Sequence, residues 1–249
     1  MTPLQHSKPW RVDEELAPGA VRGVAGVLLD FDGPICSLFT HDGADTALSA
    51  VVKALEKGGQ LPEDLRKETN AHALLRSMSV RGSRYVEEAN GALAEQERVA
   101  ARNAVPTDGS GELIAALAGL GIPMAIASNN SKAAIVDYLQ LHGLEEHFAG
   151  RVHGRANDLT CMKPHPFCVD QALSDIQVGG DALLLGDSPS DGEAAAASHI
   201  GFIGCVHPEV ARGGSVEARQ VRLLRAAGAK FVVRDLWAVT AAFRTRTGI

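Results

Sequence analysis

Aromatic residues are scarce. Phenylalanine, tyrosine and tryptophan together make up 4% of the 249 residues, too few to build stacking platforms for the bases of a nucleic acid. Positive charge is not in excess either. The 24 Lys and Arg stand against 30 Asp and Glu, giving a formal net charge of -6, and no Lys/Arg cluster is spaced to follow a phosphate backbone. Nucleic acid is therefore not expected as a partner. Only four cysteines occur, Cys36, Cys161, Cys168 and Cys205, without a Cys-x-x-Cys pair or a zinc-like spacing with histidine. Reduced, mostly buried thiols are expected. No apolar stretch approaches the roughly 20 residues that span a bilayer. Asp13, Glu14 and Glu15 fall where a signal peptide needs an apolar run. The expectation is a cytoplasmic protein that does not meet the membrane.

What is present is ordinary for a globular chain: 45% hydrophobic and 22% charged residues. The length suits one large domain, or a core carrying a smaller one. Val27, Leu28 and Leu29 form an apolar run bounded by Gly26 behind and Gly33-Pro34 ahead. A short apolar run between breakers reads as a strand buried on both faces of a parallel sheet. Asp30 and Asp32 follow it. At spacing i, i+2 on an extended backbone both side chains point the same way, and like charges that close call for an ion or a shared proton. Gly33 permits a backbone geometry closed to other residues. Alone, the Asp-x-Asp-Gly stretch reads equally well as a strand followed by an acidic turn.

The rest of the chain divides into three parts. Residues 1–20 read as a polar lead-in. Residues 37–105 read as amphipathic helix without convincing strands: Ala47, Leu48, Val51, Val52 and Leu55 share a face, Pro62 opens a second helix continued by Ala71, Leu74, Leu75 and Met78, and 85–101 is a third. After Pro106 strands and helices alternate. Ser110 caps a helix stopped by Gly121, 123–128 is a strand, and 132–142 is a helix ending at Gly143. Residues 151–153, 182–186, 202–206 and 230–233 read as strands, with helices over 167–173, from Asp191, over 216–227 and over 236–243. Glu145-Glu146 reads as a solvated turn. The alternation predicts an α/β fold, a Rossmann-like parallel sheet flanked by helices, which binds ligands at the carboxyl ends of its strands.

Polar clusters stand at those ends: Asp30-Phe-Asp-Gly33, Ser128-Asn129, Lys163-Pro-His-Pro166 and Gly186-Asp-Ser-Pro-Ser-Asp191. Taken singly, Ser128 is a polar strand end, Lys163 a surface lysine and Asp191 a helix cap. In this order and context they resemble the haloacid dehalogenase superfamily, over residues 24–243. The resemblance implies a phosphoric monoester hydrolase in which Asp30 is the nucleophile and Asp32 the general acid and base. It implies Mg²⁺ held by Asp30, the Asp32 main-chain carbonyl and Asp187, with Asp191 behind, and Ser128, Lys163 and the Asn129 amide on the phosphoryl group, beside Gly33. Asp32 favours phosphatase over dehalogenase, whose branch lacks this second aspartate. Pro34 departs from the threonine of many members, so one hydroxyl contact is missing. His165 is expected near the site in a structural role.

The resemblance also implies a domain plan: a lead-in over 1–20, a Rossmann-like catalytic core over 21–36 and 106–249, and an all-helical cap over 37–105, inserted after the first strand. Arg81 and Arg84, between expected cap helices, are candidates to contact an anionic substrate group. The reading is a Mg²⁺-dependent phosphatase of the phosphoglycolate-phosphatase-like branch, a monomer or homodimer acting on a small phosphorylated metabolite. The alternatives are a sugar phosphomutase, with phosphonate hydrolysis behind it, and a catalytically silent binding module.

Overall fold

Apolar runs between breakers become strands, and helical spacing becomes helices, in the computed structural model of the protein, which describes residues 11–59, 61–211 and 213–246. The strands are β1 (Gly26–Leu29), β2 (Cys36–Ser37), β3 (Val105–Pro106), β4 (Met124–Ala127), β5 (Val152–His153), β6 (Ala182–Gly186), β7 (Gly201–Cys205) and β8 (Phe231–Val233). The helices are α1 (His41–Leu55), α2 (Ala71–Val80), α3 (Val86–Ala101), α4 (Ser110–Gly119), α5 (Lys132–Leu141), α6 (Glu145–Phe148), α7 (Phe167–Ile176), α8 (Pro189–Ala197), α9 (Gly214–Ala226) and α10 (Trp237–Thr245).

Six strands form one parallel sheet in the order β5-β4-β1-β6-β7-β8. β1 lies in the middle, pairing Val27 with Met124 on one side and with Leu183 on the other. From β1 the chain works outward through β4 and β5, then returns to β6 on the opposite side. The order therefore reverses between β1 and β6, where sheets of this kind leave a crevice at their carboxyl ends.

The two faces of the sheet are buried against different helices. Val27, Leu29, Met124 and Ile126 pack with Leu113, Ile114, Ile135, Tyr138, Val239 and Phe243 of α4, α5 and α10. Leu28, Ala125, Ala127 and Leu184 face the other way, onto Val169, Ala172, Ala194, Val221 and Leu224 of α7, α8 and α9. Each fully buried Leu, Ile, Val or Phe contributes about 1.5–3 kcal/mol, so this double-sided burial fixes which strand ends meet. The α/β reading and the strand positions hold.

Several local readings differ. Residues 36–37 and 105–106 form an antiparallel two-stranded ribbon where no strand was expected, because two-residue strands carry no alternation. Residues 63–65 make one 3₁₀ turn, and α2 begins afresh at Ala71, with the Asn70 side chain accepting from Ala73 N. Glu145 and Glu146 open the short helix α6. Gly109, not Ser110, caps α4; Ser110 is buried in its first turn. Of the expected lead-in, residues 1–10 lie outside the described residues. Leu16 joins the core, and Asp13 is stitched to β8: its amide donates to Val232 O at 2.6 Å and its carboxylate accepts from Val232 N at 2.7 Å.

Helices α1, α2 and α3 lie between β2 and β3 and close on an apolar cluster of their own, including Val51, Leu74, Leu75, Ala89 and Leu93. α3 is anchored to α5. Arg98 Nε meets Asp137 Oδ2 at 2.9 Å, and Glu97, fully buried, accepts from Ser131 N at 2.9 Å and from both terminal nitrogens of Arg155 at 2.7 and 3.0 Å. His72 Nε2 lies 3.0 Å from the same carboxylate. Burial acts to raise the Glu97 pKa, but Arg155 and His72 outweigh it and hold the carboxyl at about 2, against an ordinary 4.5.

A depressed carboxyl pKa contributes stability that is complete above the unfolded value and lost as pH falls through the folded one. The difference corresponds to about 3 kcal/mol at neutral pH, lost between pH 4.5 and 2. Removing one partner of a buried pair costs about 3–5 kcal/mol. Urea melts across pH are expected to show Glu97→Gln less stable than wild type by that amount at pH 7, with a shallower fall in acid. Coincident curves for the two proteins would show no net contribution from the pair.

Candidate active site

The carboxyl ends of β1, β4 and β6 converge on the crevice. Asp30 follows β1, and its carboxylate accepts from Phe31 N at 2.8 Å, where the chain bends. Strand geometry thus stops at Leu29 and the i, i+2 rule no longer governs Asp32. Its Oδ1 instead accepts from Leu38 N at 2.8 Å and lies 3.2 Å from His207 Nε2. Burial acts to lower the His207 pKa, but the Asp32 hydrogen bond and the Asp187 charge push it up to about 9. Gly33 has φ +107°, and a Cβ there would come within 2.7 Å of the Asp187 Cβ and Cγ. Its N–H is spent on Cys36 O at 2.7 Å, and its carbonyl accepts from Thr107 Oγ1. Gly33 shapes the turn and leaves its amide no capacity for a ligand.

Lys163 is buried beneath this turn. Its ammonium donates to Ala127 O at 2.8 Å, sits 3.0 Å from Asp30 Oδ1 and bonds Asp191 Oδ1 at 2.5 Å. Burial disfavours the charged amine, yet Asp191 and Asp30 outweigh it and raise the Lys163 pKa. Asp191 has no solvent exposure. Its other oxygen accepts from Ser188 N at 3.0 Å and Ser188 Oγ at 2.7 Å, so Ser188 caps α8 and Asp191 reciprocates from the third helical position.

Asp30, Asp187 and Asp191 each bring a carboxylate oxygen within 4.8 Å of the others. Burial, with Asp191 adding repulsion and Lys163 opposing it, raises the Asp30 pKa to about 6. Burial, Asp191, Asp30 and Asp32 likewise raise Asp187 well above the carboxylate range, against the pull of His207. Acids pressed together in this way are what a hard cation with oxygen ligands relieves. The donor set fits one. Both Asp191 oxygens are committed to Lys163 and Ser188, which leaves Asp30 and Asp187 to offer free oxygens. The Asp32 carboxylate stands outside this cluster.

Ser128, after β4, is buried; its Oγ donates to Asn130 Oδ1 at 2.9 Å and accepts from Asn130 N at 3.2 Å. Asn129 bonds the Lys163 main chain twice, accepting from its N–H at 2.8 Å and donating to its carbonyl at 3.1 Å. Asp30, Asp32, Asn129, Lys163 and Asp187 line one cleft of about 410 Å³.

The roof of that cleft is α2, through Asn70, His72, Ala73 and Arg76. The two arginines expected to reach the site do not line it. Arg81 pairs with Asp64 at 2.5 Å, and Arg84 lies over the Tyr85 ring and bonds its hydroxyl at 2.9 Å. Both follow the last residue of α2, whereas the cleft meets its first turns. The signal that points to the roof is the Asn70 cap followed by His72 and Arg76, four apart on one helical face. His207 carried no such signal. His165 is exposed and serves α7, its Nδ1 accepting from Phe167 N at 3.2 Å. All four cysteines are free, and among the described residues no helix is long and apolar enough to cross a membrane.

A carboxylate beside a buried ammonium, with two further acids at a cation-sized distance and an arginine overhead, can attack a negatively charged electrophile. The sequence model described as "Hydrolase: haloacid dehalogenase-like hydrolase" matches residues 24–199. A phosphoglycolate phosphatase of Photobacterium profundum is 31% identical over 97 residues, which span 39% of this chain and 42% of that protein. The sheet and helices superpose on a hydrolase from Pseudomonas syringae with a TM-score of 0.65 at 17% identity, covering 90% of this chain and 100% of that one. CbbY from Rhodobacter sphaeroides, solved with phosphate, gives a TM-score of 0.62 at 18% identity, with 89% and 99% covered. With a family match over most of its length, and the acids and lysine gathered at the strand ends, the chain belongs to the haloacid dehalogenase-like hydrolases.

Proposed function

We propose that the protein is a Mg²⁺-dependent phosphatase that hydrolyses a small phosphorylated metabolite through an aspartyl-phosphate on Asp30. The observation that carries the reading is the Lys163 ammonium 3.0 Å from Asp30 Oδ1, with Asp187 and Asp191 oxygens beside it. In the first step Asp30 attacks phosphorus, the ester P–O bond breaks and Asp32 protonates the departing oxygen. In the second, water attacks the phosphoryl group, Asp32 takes the proton, and the bond to Asp30 breaks to release phosphate. Lys163 offsets charge on the phosphoryl oxygens throughout, the Asn129 amide holds the same group, and Ser128 joins it by turning its hydroxyl away from Asn130 Oδ1. Mg²⁺ bound by Asp30, the Asp32 carbonyl and Asp187, with Asp191 behind, supplies further charge neutralisation.

Residues 37–105 act as the cap in this reading. α2 closes the cleft, excludes water and reads the part of the substrate distal to phosphorus. Among the described residues Arg76 lines the cleft without a hydrogen bond or ion pair. It suits a second anionic group, such as the carboxylate of phosphoglycolate. Four free thiols are at home in the cytoplasm.

Phosphate release from p-nitrophenyl phosphate and a panel of metabolite monoesters is expected to require Mg²⁺ and to fall at least ~10³-fold in Asp30→Asn. A folded wild type that releases no phosphate from any of them would instead favour a phosphomutase or a non-catalytic module. Arg76→Ala is expected to raise KM by about tenfold or more for phosphoglycolate, with little change for p-nitrophenyl phosphate. Equal KM values for phosphoglycolate before and after the change would remove the Arg76 contact.

A further inference from the structure

Glu97 and Arg155 do not line the cleft, yet the pair touches three consecutive residues of the loop after β4. Arg155 donates through its side chain to Asn129 O at 2.8 Å and through its amide to Asn130 O at 2.7 Å. Glu97 accepts from Asn130 Nδ2 at 3.3 Å and from Ser131 N at 2.9 Å. The two side chains meet as a fork, both Glu97 oxygens on both terminal nitrogens of Arg155. Asn129 in turn makes two bonds to the Lys163 main chain, and Lys163 reaches Asp30. An unbroken run of short polar contacts therefore leads from α3, in the insert, to the carboxylate at the end of β1.

We propose that Glu97 and Arg155 are positioning residues: the pair clamps residues 129–131 and, through Asn129, sets Lys163 at its working distance from Asp30. The proposal rests on the phosphatase reading of the site. An apolar pair of similar volume would stabilise the contact between α3 and α5 at least as well as a buried ion pair, which has to offset its own desolvation. What an apolar pair lacks is a donor for Asn129 O and an acceptor for Ser131 N. The rigid fork of the guanidinium holds such bonds at fixed geometry, which an ammonium on a flexible stem does not. Space at the joint is tight: a Cβ at Gly154, next to Arg155, would lie 2.5 Å from Lys132 N and 2.8 Å from Asn130 O. His72 shares the same Glu97 oxygen as Arg155, so the roof of the cleft is referenced to the same point as its floor.

The test compares wild type, Glu97→Gln, Arg155→Lys and the double variant, each assayed well below its melting temperature. Arg155→Lys keeps the charge and serves if Glu97→Gln does not fold. Two quantities are measured: phosphate release from p-nitrophenyl phosphate with Mg²⁺, and amide hydrogen exchange. In each single variant kcat is expected to fall at least about tenfold while KM stays within about threefold, because misplacing a group that acts in the transition state is felt in the chemical step. The double variant is expected to lose no more than the worse single. Exchange at residues 129–131 is expected to rise at least about tenfold beyond any rise in β1, β4 and β6, which follows the loss of global stability. Folded variants with lower melting temperatures but kcat within threefold of wild type would reduce the pair to a structural contact and overturn the proposal, as would unchanged exchange in the loop. If wild type releases no phosphate, the phosphatase reading fails first. A loosened loop in that case would leave a clamp without a reaction to position, and the proposal falls with it.

Discussion

Everything at the carboxyl edge of the sheet depends on one buried positive charge. The Lys163 ammonium is shut away from water and survives only because Asp191 and Asp30 stand within hydrogen-bonding reach and Ala127 offers a carbonyl. The dependence is mutual. Asp191, without any exposure, needs both Lys163 and Ser188 to be tolerable inside the protein. Asp30 has the lysine on one side and further acids on the other. An isolated charge of either sign could not be kept there, so the segments after β1, β4 and β6 and the start of α8 have to arrive together or not at all.

That interdependence explains why the floor of the site was legible in the sequence. Residues at strand ends inherit their position from the strand, and β1, β4 and β6 are strong apolar runs between breakers. Once those runs are read as a parallel sheet, Asp30, Ser128 and Asp187 are bound to share an edge. Lys163 and Asp191 come into view only when taken with them, since alone each has an ordinary surface reading.

The roof was not legible, for physical reasons. Which turn of α2 faces the cleft depends on how α1, α2 and α3 pack on each other and on α5; the spacing of His72 and Arg76 marks a shared helical face but not what that face meets. Arg81 and Arg84 form a basic loop between helices, a pattern that suits an anionic ligand on spacing alone. In the structure each is tied to a local partner, Asp64 or Tyr85, and the opposite end of the helix meets the cleft. His207 carries no sequence signal because a lone histidine after a strand has no pattern, although its place at the end of β7 follows from the same edge rule. The two-residue strands β2 and β3 and the four-residue α6 fall below the length at which any periodicity shows.

The stitching of Asp13 to β8 has a bearing on how the molecule behaves in company. β8 is the last strand of its sheet, and an outermost strand offers unused backbone donors and acceptors to any other chain that arrives extended. Asp13 occupies both the amide and the carbonyl of Val232, and its carboxylate also holds Arg225 at 2.7 Å. The middle of the three-residue edge is thereby already taken, with a charge placed against it. A chain cut back beyond this aspartate presents a bare margin at β8, and copies of it gain a way to join strand to strand.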